Sequence, residues 1–228
     1  KQVESVVGNI PIILSFPHGG NFVPDDVQVR KTGCHEPDFF TLELALILKE
    51  LFPNDKCPYF VYGKVQRKFC DLNRGPESAF EDERMRPYYS LYHQEVRQFS
   101  KIIKNKNENC FLIDVHGQSE KNNLVLRGTS DGLTVKEIVE RLGEDVVVGE
   151  NSILGSLKNQ GFPSYPEDYS EKEMKAFNGG WTVRHYHKQE GVNTLQIEIG
   201  FEFRKQENRQ KFAEALRNAI LQYLNHYC

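Results

Sequence analysis

Apolar residues occur along this chain in two alternating patterns. Short runs rich in β-branched and aromatic residues are typical of strands and cover residues 10–16, 59–62, 110–115, 123–127 and 194–199. Longer segments with apolar residues every three or four positions are typical of helices and cover residues 38–51, 89–104, 135–142 and 204–227. The alternation of the two patterns predicts an α/β fold.

Several predicted strands are apolar at successive positions, as in 12–14 and 111–113. Strands covered by helices on both faces have this pattern, whereas strands with one face in water alternate. We therefore predict one domain over residues 1–228, with a central mixed, mostly parallel sheet flanked by helices. Two polar segments, 71–87 and 155–178, lack a clean period and predict long loops near a functional site.

The net charge and the hydropathy of the chain limit the classes of partner that we expect. The 228 residues include 29 Lys and Arg and 32 Asp and Glu, which gives a formal charge of −3. Without a general positive excess we expect neither a nucleic-acid nor a membrane partner. No apolar run approaches the roughly 18 residues of a membrane span, so we expect a soluble protein. The chain begins at Lys1 rather than Met, which leaves a cytoplasmic and a processed secreted protein both open.

The five cysteines form no Cys-x-x-Cys pair, which disfavours a cysteine zinc knuckle. Cys70 and Cys110 lie in apolar, strand-like segments and are expected to be buried. Cys34 and Cys57 flank loops and could form a disulfide in an oxidising compartment.

Two predicted strands end in a histidine that precedes glycine, at His18 and His116. Ligands of α/β sheets bind at this edge, and neutral imidazole is a good zinc ligand. A catalytic zinc usually has three protein ligands, so a carboxylate is still needed. Asp38, at the start of a predicted helix, is the first choice, although it could be an N-cap; Asp25 and Glu43 are the alternatives.

Two further acids lie inside predicted strands. Asp114 precedes His116 by two residues, so it can orient a metal-bound imidazole or cap a loop. Glu198 lies within an apolar strand, where a charge is costly unless it faces a site or an ion pair. We expect Glu198 to act as a general base, with a structural ion pair to an arginine as the alternative.

Asn73 and Arg74 offer an amide beside a guanidinium fork, which suits two-point recognition of a substrate carboxylate. The alternative for Arg74 is an internal salt bridge to Asp71 or to the acidic run 81–83. A later glycine-rich segment is predicted either to line a substrate pocket or to form an ordinary hairpin. Its candidate substrate-binding residues are Asn178, Gly179, Gly180 and Arg184.

Taken in order along residues 10–199, these motifs resemble the N-formylglutamate amidohydrolase family. They are Ser15-x-Pro17-His18-Gly19-Gly20, Asp38, Asp71-x-Asn73-Arg74, Asp114-x-His116, Asn178-Gly179-Gly180 and Gln196-x-Glu198. The family is similar to zinc carboxypeptidases in fold and in the order of its motifs along the chain. The resemblance implies zinc, amide hydrolysis and a carboxylate-bearing substrate. The carboxypeptidase His-x-x-Glu pair is absent, because the third residue after His18 is Asn21.

The leading hypothesis is a zinc-dependent hydrolase that cleaves the amide bond of a small acidic substrate, either an N-acyl amino acid or a peptide C-terminus. His18, Asp38 and His116 would hold Zn²⁺, Glu198 would act as base, and Arg74 would anchor the substrate. One alternative is a non-catalytic module that binds an acidic amino acid or peptide. Another is a thiol hydrolase that pairs one of the cysteines with a histidine.

Overall fold

The computed structural model describes residues 2–106 and 111–228 and contains a seven-stranded sheet with the order β1-β3-β2-β4-β7-β5-β6. Its strands are β1 (Val3–Val6), β2 (Ile12–Phe16), β3 (Tyr59–Gly63), β4 (Phe111–Gln118), β5 (Val125–Gly128), β6 (Ser164–Tyr165) and β7 (Asn193–Gly200). The central strands β3, β2, β4 and β7 are parallel. Strand β1 pairs antiparallel with β3, and β5 pairs antiparallel with β7 and parallel with β6. The predicted mixed, mostly parallel sheet is confirmed.

Helices cover both faces of the sheet because the central strands are apolar on both sides. The helices are α1 (Thr41–Leu51), α2 (Arg86–Lys104), α3 (Lys136–Leu142), α4 (Asp145–Val148), α5 (Ile153–Asn159), α6 (Trp181–Glu190), α7 (Phe201–Arg204) and α8 (Gln206–Tyr227). Leu14 packs in one core with α1, α5 and α8, whereas its neighbour Ile13 packs in the other with α2 and α6. This arrangement gives three layers, as expected for the predicted sheet flanked by helices.

Two segments differ from the sequence prediction. Helix α6 occupies residues expected to form a loop or hairpin. Trp181, Thr182 and Val183 favour strands intrinsically, but burial of Val183 and Tyr186 on the sheet stabilises the helix. The segment 155–178, predicted as a loop, contains most of α5 and the short strand β6.

The described cysteines are free: Cys34, Cys57, Cys70 and Cys228. The proposed Cys34–Cys57 disulfide is therefore wrong. Cys70 is buried as expected, although it lies in a loop rather than a strand, and Cys110 is outside the described residues. Within 2–106 and 111–228, no helix is both long and apolar enough to cross a membrane.

Candidate metal centre and active site

Three groups of the candidate site lie where parallel strands end. His18 follows β2, and His116 lies near the end of β4. Glu198 on β7 is the register partner of His116. The pairing brings residues 82 positions apart in the sequence to neighbouring places on one sheet edge.

Asp38 joins the two histidines in a buried cluster. The Oδ2 atom of Asp38 lies 3.3 Å from Nδ1 of His18 and 3.0 Å from Nδ1 of His116. One ligand atom from each of the three residues lies within 4.8 Å of the others. Of the alternative acids, Asp25 is exposed and Glu43 lies in the first turn of α1, and neither belongs to the cluster.

Local backbone contacts fix Asp38 in this position. Its N–H donates to the carbonyl of His18 at 3.1 Å, and its carbonyl accepts the Thr41 hydroxyl at 2.8 Å. The N–H of Gly117 donates to Asp38 Oδ2 at 3.1 Å. Gly19 permits the close approach of α1, because a Cβ there would lie 2.4 Å from the Leu42 nitrogen. The glycines that follow the two histidines, Gly19 and Gly117, thus shape the backbone around the site.

A buried carboxylate lies behind each histidine. Asp71 Oδ1 lies 2.7 Å from Nε2 of His18, and Asp114 Oδ2 lies 2.9 Å from Nε2 of His116. Carboxylates in this position fix the ring orientation and tautomer of a metal-binding imidazole. Asp114 makes the contact predicted from its spacing, whereas the role of Asp71 at His18 was not foreseen.

The charges within the cluster favour ionised carboxylates. Burial alone would raise the pKa of Asp38, but charge and hydrogen bonds from His18 and His116 hold that pKa well below its usual value. Burial alone would lower the pKa of His116, but Asp114 and Asp38 raise it well above its usual value. The site therefore presents an ionised Asp38 carboxylate beside the His116 ring, whose surroundings favour a positive charge.

Glu198 lies next to this cluster and is 7% exposed. Burial raises its pKa to about 7, the charge of Asp38 acts in the same direction, and the charge of His116 opposes it. Gln196 Nε2 donates to Glu198 Oε1 at 2.8 Å, and the Gly180 N–H donates to Gln196 Oε1 at 2.7 Å. A carboxylate with a pKa near neutrality can accept and return a proton at physiological pH.

Three arginines surround Asp71. Nε atoms of Arg67 and Arg74 each lie 3.1 Å from Asp71 Oδ2, and Nη1 of Arg30 lies 3.4 Å away. The salt bridge considered as the alternative for Arg74 therefore exists. It uses only Nε, however, and no described residue accepts from the two terminal nitrogens of Arg74, whose side chain is 39% exposed.

A cavity of about 1030 Å³ opens above the cluster. All ten site residues predicted from the sequence line it: His18, Asp38, Asn73, Arg74, His116, Asn178, Gly179, Gly180, Arg184 and Glu198. Asn73 Oδ1 accepts the Thr182 N–H at 2.7 Å. A Cβ on Gly180 would lie 2.1 Å from Asn73 Nδ2. Gly180 thus allows the start of α6 to pack against Asn73 at the cavity wall.

Sequence reasoning missed two arginines that line the cavity, Arg67 and Arg204. Arg67 donates to Asp38 Oδ1 at 3.5 Å as well as to Asp71. Its position four residues before Asp71 was the only available signal. Cys34 is the one described cysteine in the cavity lining, and its Sγ contacts the carbonyl of Glu36 rather than a histidine.

Comparison with solved structures identifies the fold. N-formylglutamate amidohydrolase from Ralstonia eutropha JMP134 is similar with a TM-score of 0.68 and 14% identity, covering 100% of this chain and 99% of that chain. A metallo-carboxypeptidase from Burkholderia cenocepacia is similar with a TM-score of 0.51 and 14% identity, covering 100% of this chain and 66% of that chain. No protein-family model and no curated protein matches the sequence. The chain has the carboxypeptidase-like fold that the resemblance predicted.

Proposed function

We propose that this chain is a zinc-dependent hydrolase that cleaves the amide bond of a carboxylate-bearing substrate, such as an N-acyl amino acid or a peptide C-terminus. The observation that carries the proposal is the buried cluster of His18, Asp38 and His116 beside Glu198. The fold shared with an amidohydrolase and a metallo-carboxypeptidase supports the same reaction class.

The donor set fits a zinc ion. Two imidazole nitrogens and one carboxylate oxygen form the three-ligand combination that leaves a coordination position open for catalysis. The carboxylates Asp71 and Asp114 behind the imidazoles complete the usual outer contacts of such a site. Zinc supplies Lewis acidity to the amide carbonyl and to the attacking water.

Glu198 provides the proton transfers. Its carboxylate accepts a proton from the water as the water oxygen bonds to the amide carbon. As the carbon–nitrogen bond breaks, the same group returns that proton to the nitrogen of the departing amine. The contact from Gln196 holds one oxygen of Glu198 and leaves the other for this exchange.

The cationic side of the cavity is suited to a substrate carboxylate. The salt bridge to Asp71 uses Nε of Arg74, and the two terminal nitrogens have no acceptor among the described residues. Arg184 lines the same cavity, and its Nη1 donates to the Gly179 carbonyl. We propose that Arg74 anchors the carboxylate, with Asn73, Asn178, Gly179, Gly180 and Arg184 forming the surrounding wall.

The test is a hydrolysis assay of the zinc-loaded protein on N-formylglutamate, on N-acyl amino acids with larger acyl groups and on short peptides. Each substrate is paired with an analogue whose carboxylate is amidated. We expect about one zinc per chain, activity lost in chelator and restored by zinc, and faster turnover of the free carboxylates.

Three results would contradict the proposal. Full activity without metal would exclude the zinc mechanism. Thiol alkylation that abolishes the activity of a Cys34→Ser variant as well as that of the wild type would point to another cysteine, rather than water, as the nucleophile. Tight binding of an acidic ligand with no product from any substrate would favour the non-catalytic binding module.

A further inference from the structure

Arg204 lies at the end of α7 and is buried, with 2% of its surface exposed. Its Nε donates to the Ile199 carbonyl at 3.0 Å, and its Nη2 donates to the Gln118 carbonyl at 3.0 Å. Its Nη1 donates to the carbonyl of Phe39. One guanidinium therefore connects three separate segments of the chain.

These three segments carry the groups of the candidate site. Phe39 directly follows Asp38, and Ile199 directly follows Glu198. Gln118 ends β4, two residues after His116. Because the guanidinium is planar and rigid, its three donors fix the relative positions of these carbonyls.

The charge of Arg204 has an unusual environment. Across 2–106 and 111–228, it forms no direct ion pair, although burial of a cation is costly. The nearby charges that favour its ionised form are those of Asp38 and Glu198. The two acids of the site and this arginine thus stabilise one another at a distance.

The backbone next to Asp38 has an uncommon conformation that the hydrogen bond from Arg204 helps to hold. Phe40 has a φ of 69°, in the left-handed region that is uncommon for a residue with a side chain. The Phe39 carbonyl that accepts from Arg204 belongs to the residue just before Phe40. This hydrogen bond holds the turn that directs Asp38 toward the histidines. Gly117 makes room for the guanidinium, since a Cβ there would lie 2.4 Å from Arg204 Cζ.

We propose that Arg204 is a positioning residue that sets the metal affinity of the site by fixing the Asp38 segment relative to His116. The proposal rests on the metal centre of the proposed function. Arg204 acts through backbone carbonyls, so its replacement should change the geometry of the ligands without removing any of them.

The chain offers a matched control in Arg127, which is also fully buried. Arg127 donates to the carbonyls of Asp168, Tyr169 and Glu171 and forms an ion pair with Glu173 at 2.9 Å. None of these partners belongs to the metal cluster. Replacement of either arginine by lysine removes a buried guanidinium, but only one replacement affects the segments that carry the ligands.

The experiment measures the Zn²⁺ dissociation constant of the folded wild type, Arg204→Lys and Arg127→Lys by competition with a chromophoric chelator. The unfolding midpoint of each chelated protein is measured in parallel. We expect Arg204→Lys to weaken zinc binding by about 10–100-fold, the loss typical of outer contacts of a metal site. Arg127→Lys should lower the unfolding midpoint and leave zinc affinity within about threefold of the wild type.

A Gly117→Ala variant tests the same contact without changing Arg204. Its added methyl displaces the guanidinium, so zinc binding should weaken, and the effect should be much smaller in an Arg204→Lys background. If Arg204→Lys does not fold, the loss of zinc affinity in Gly117→Ala alone still tests the contact.

The outcomes separate the inference from the proposed reaction. Unchanged zinc affinity in folded Arg204→Lys, or equal losses in both lysine variants, would overturn the positioning role alone. A wild-type chain that binds zinc but hydrolyses no amide would overturn the proposed reaction. In that case a selective loss of zinc affinity in Arg204→Lys would still support the positioning role.

Discussion

His116 and Glu198 are directly paired across strands β4 and β7, so a candidate metal ligand and the candidate base occupy adjacent positions on one sheet edge. Sheet hydrogen bonds fix this relationship, because both residues lie within regular strands. A site supported by strands keeps its geometry more accurately than one built on loops. The pairing makes Glu198 the carboxylate best placed to act beside the cluster.

Replacing Glu198 by Gln should abolish most turnover. The amide has nearly the same shape but cannot accept a proton, so kcat should fall by about 10²–10⁴-fold. Zinc content and the unfolding midpoint should stay close to the wild type. A matched control is Glu202→Gln, because Glu202 pairs with Lys205 and does not line the cavity. Near-normal turnover in Glu198→Gln would assign a structural role to this carboxylate.

Asp114→Asn should weaken zinc binding while leaving all three ligands in place. The carboxylate accepts from His116 Nε2, and an amide orients that ring less strongly, so affinity should fall by about 10–100-fold. Chelator competition measures the change. Ser15→Ala is the control, because the Ser15 hydroxyl donates to Oδ1 of Asp114 and not to the oxygen that faces His116. A larger loss of zinc affinity in Ser15→Ala than in Asp114→Asn would contradict the proposed role of the Asp114 carboxylate at His116.

Arg74→Lys should discriminate between substrates. Lysine keeps the positive charge but loses the fork, so kcat/KM should decrease for substrates with a free carboxylate and change little for their amidated analogues. Arg84→Lys is a surface control, since Arg84 pairs with Asp82 outside the cavity. Equal losses on both substrate types would show that the salt bridge of Arg74 to Asp71 is its main role.

His93 should make stability depend on pH. It lies on α2 and faces α6, with Nδ1 2.9 Å from the Tyr186 hydroxyl. Burial, together with the charges of His185 and Arg97, lowers its pKa to about 3. The unfolded chain binds a proton near pH 6.5, where the folded chain does not. This contribution to stability is therefore complete above pH 6.5 and is lost as the pH falls toward 3.

The measurement is the free energy of unfolding of wild type and His93→Gln between pH 7 and pH 4. The advantage of the wild type should shrink on acidification by up to about 1.4 kcal/mol per pH unit, because glutamine does not titrate. A His187→Gln variant serves as the control, since His187 lies on α6 and is only half-buried. A constant difference between wild type and His93→Gln would mean that folding does not lower the pKa of His93.

Local sequence patterns were sufficient to predict the sheet class and to select the strand-borne residues of the candidate site. His18, His116 and Glu198 were selected because a polar group that ends or interrupts a buried apolar strand needs a partner or a function. Asp114 followed from the two-residue period of a strand. The features shared by these four residues are local, so no tertiary information was needed to find them.

Only the tertiary structure decided which distant residues meet. The choice of Asp38 over Asp25 and Glu43, the contact of Asp71 with His18, and the three carbonyls bound by Arg204 depend on how separate segments pack. Helix α6 likewise forms against the preference of Trp181 and its neighbours for strands, because burial on the sheet outweighs local propensity. Sequence spacing determines which face of a strand or helix a residue occupies. Packing between elements determines the distance between residues of different elements, and the chemistry of this site depends on those distances.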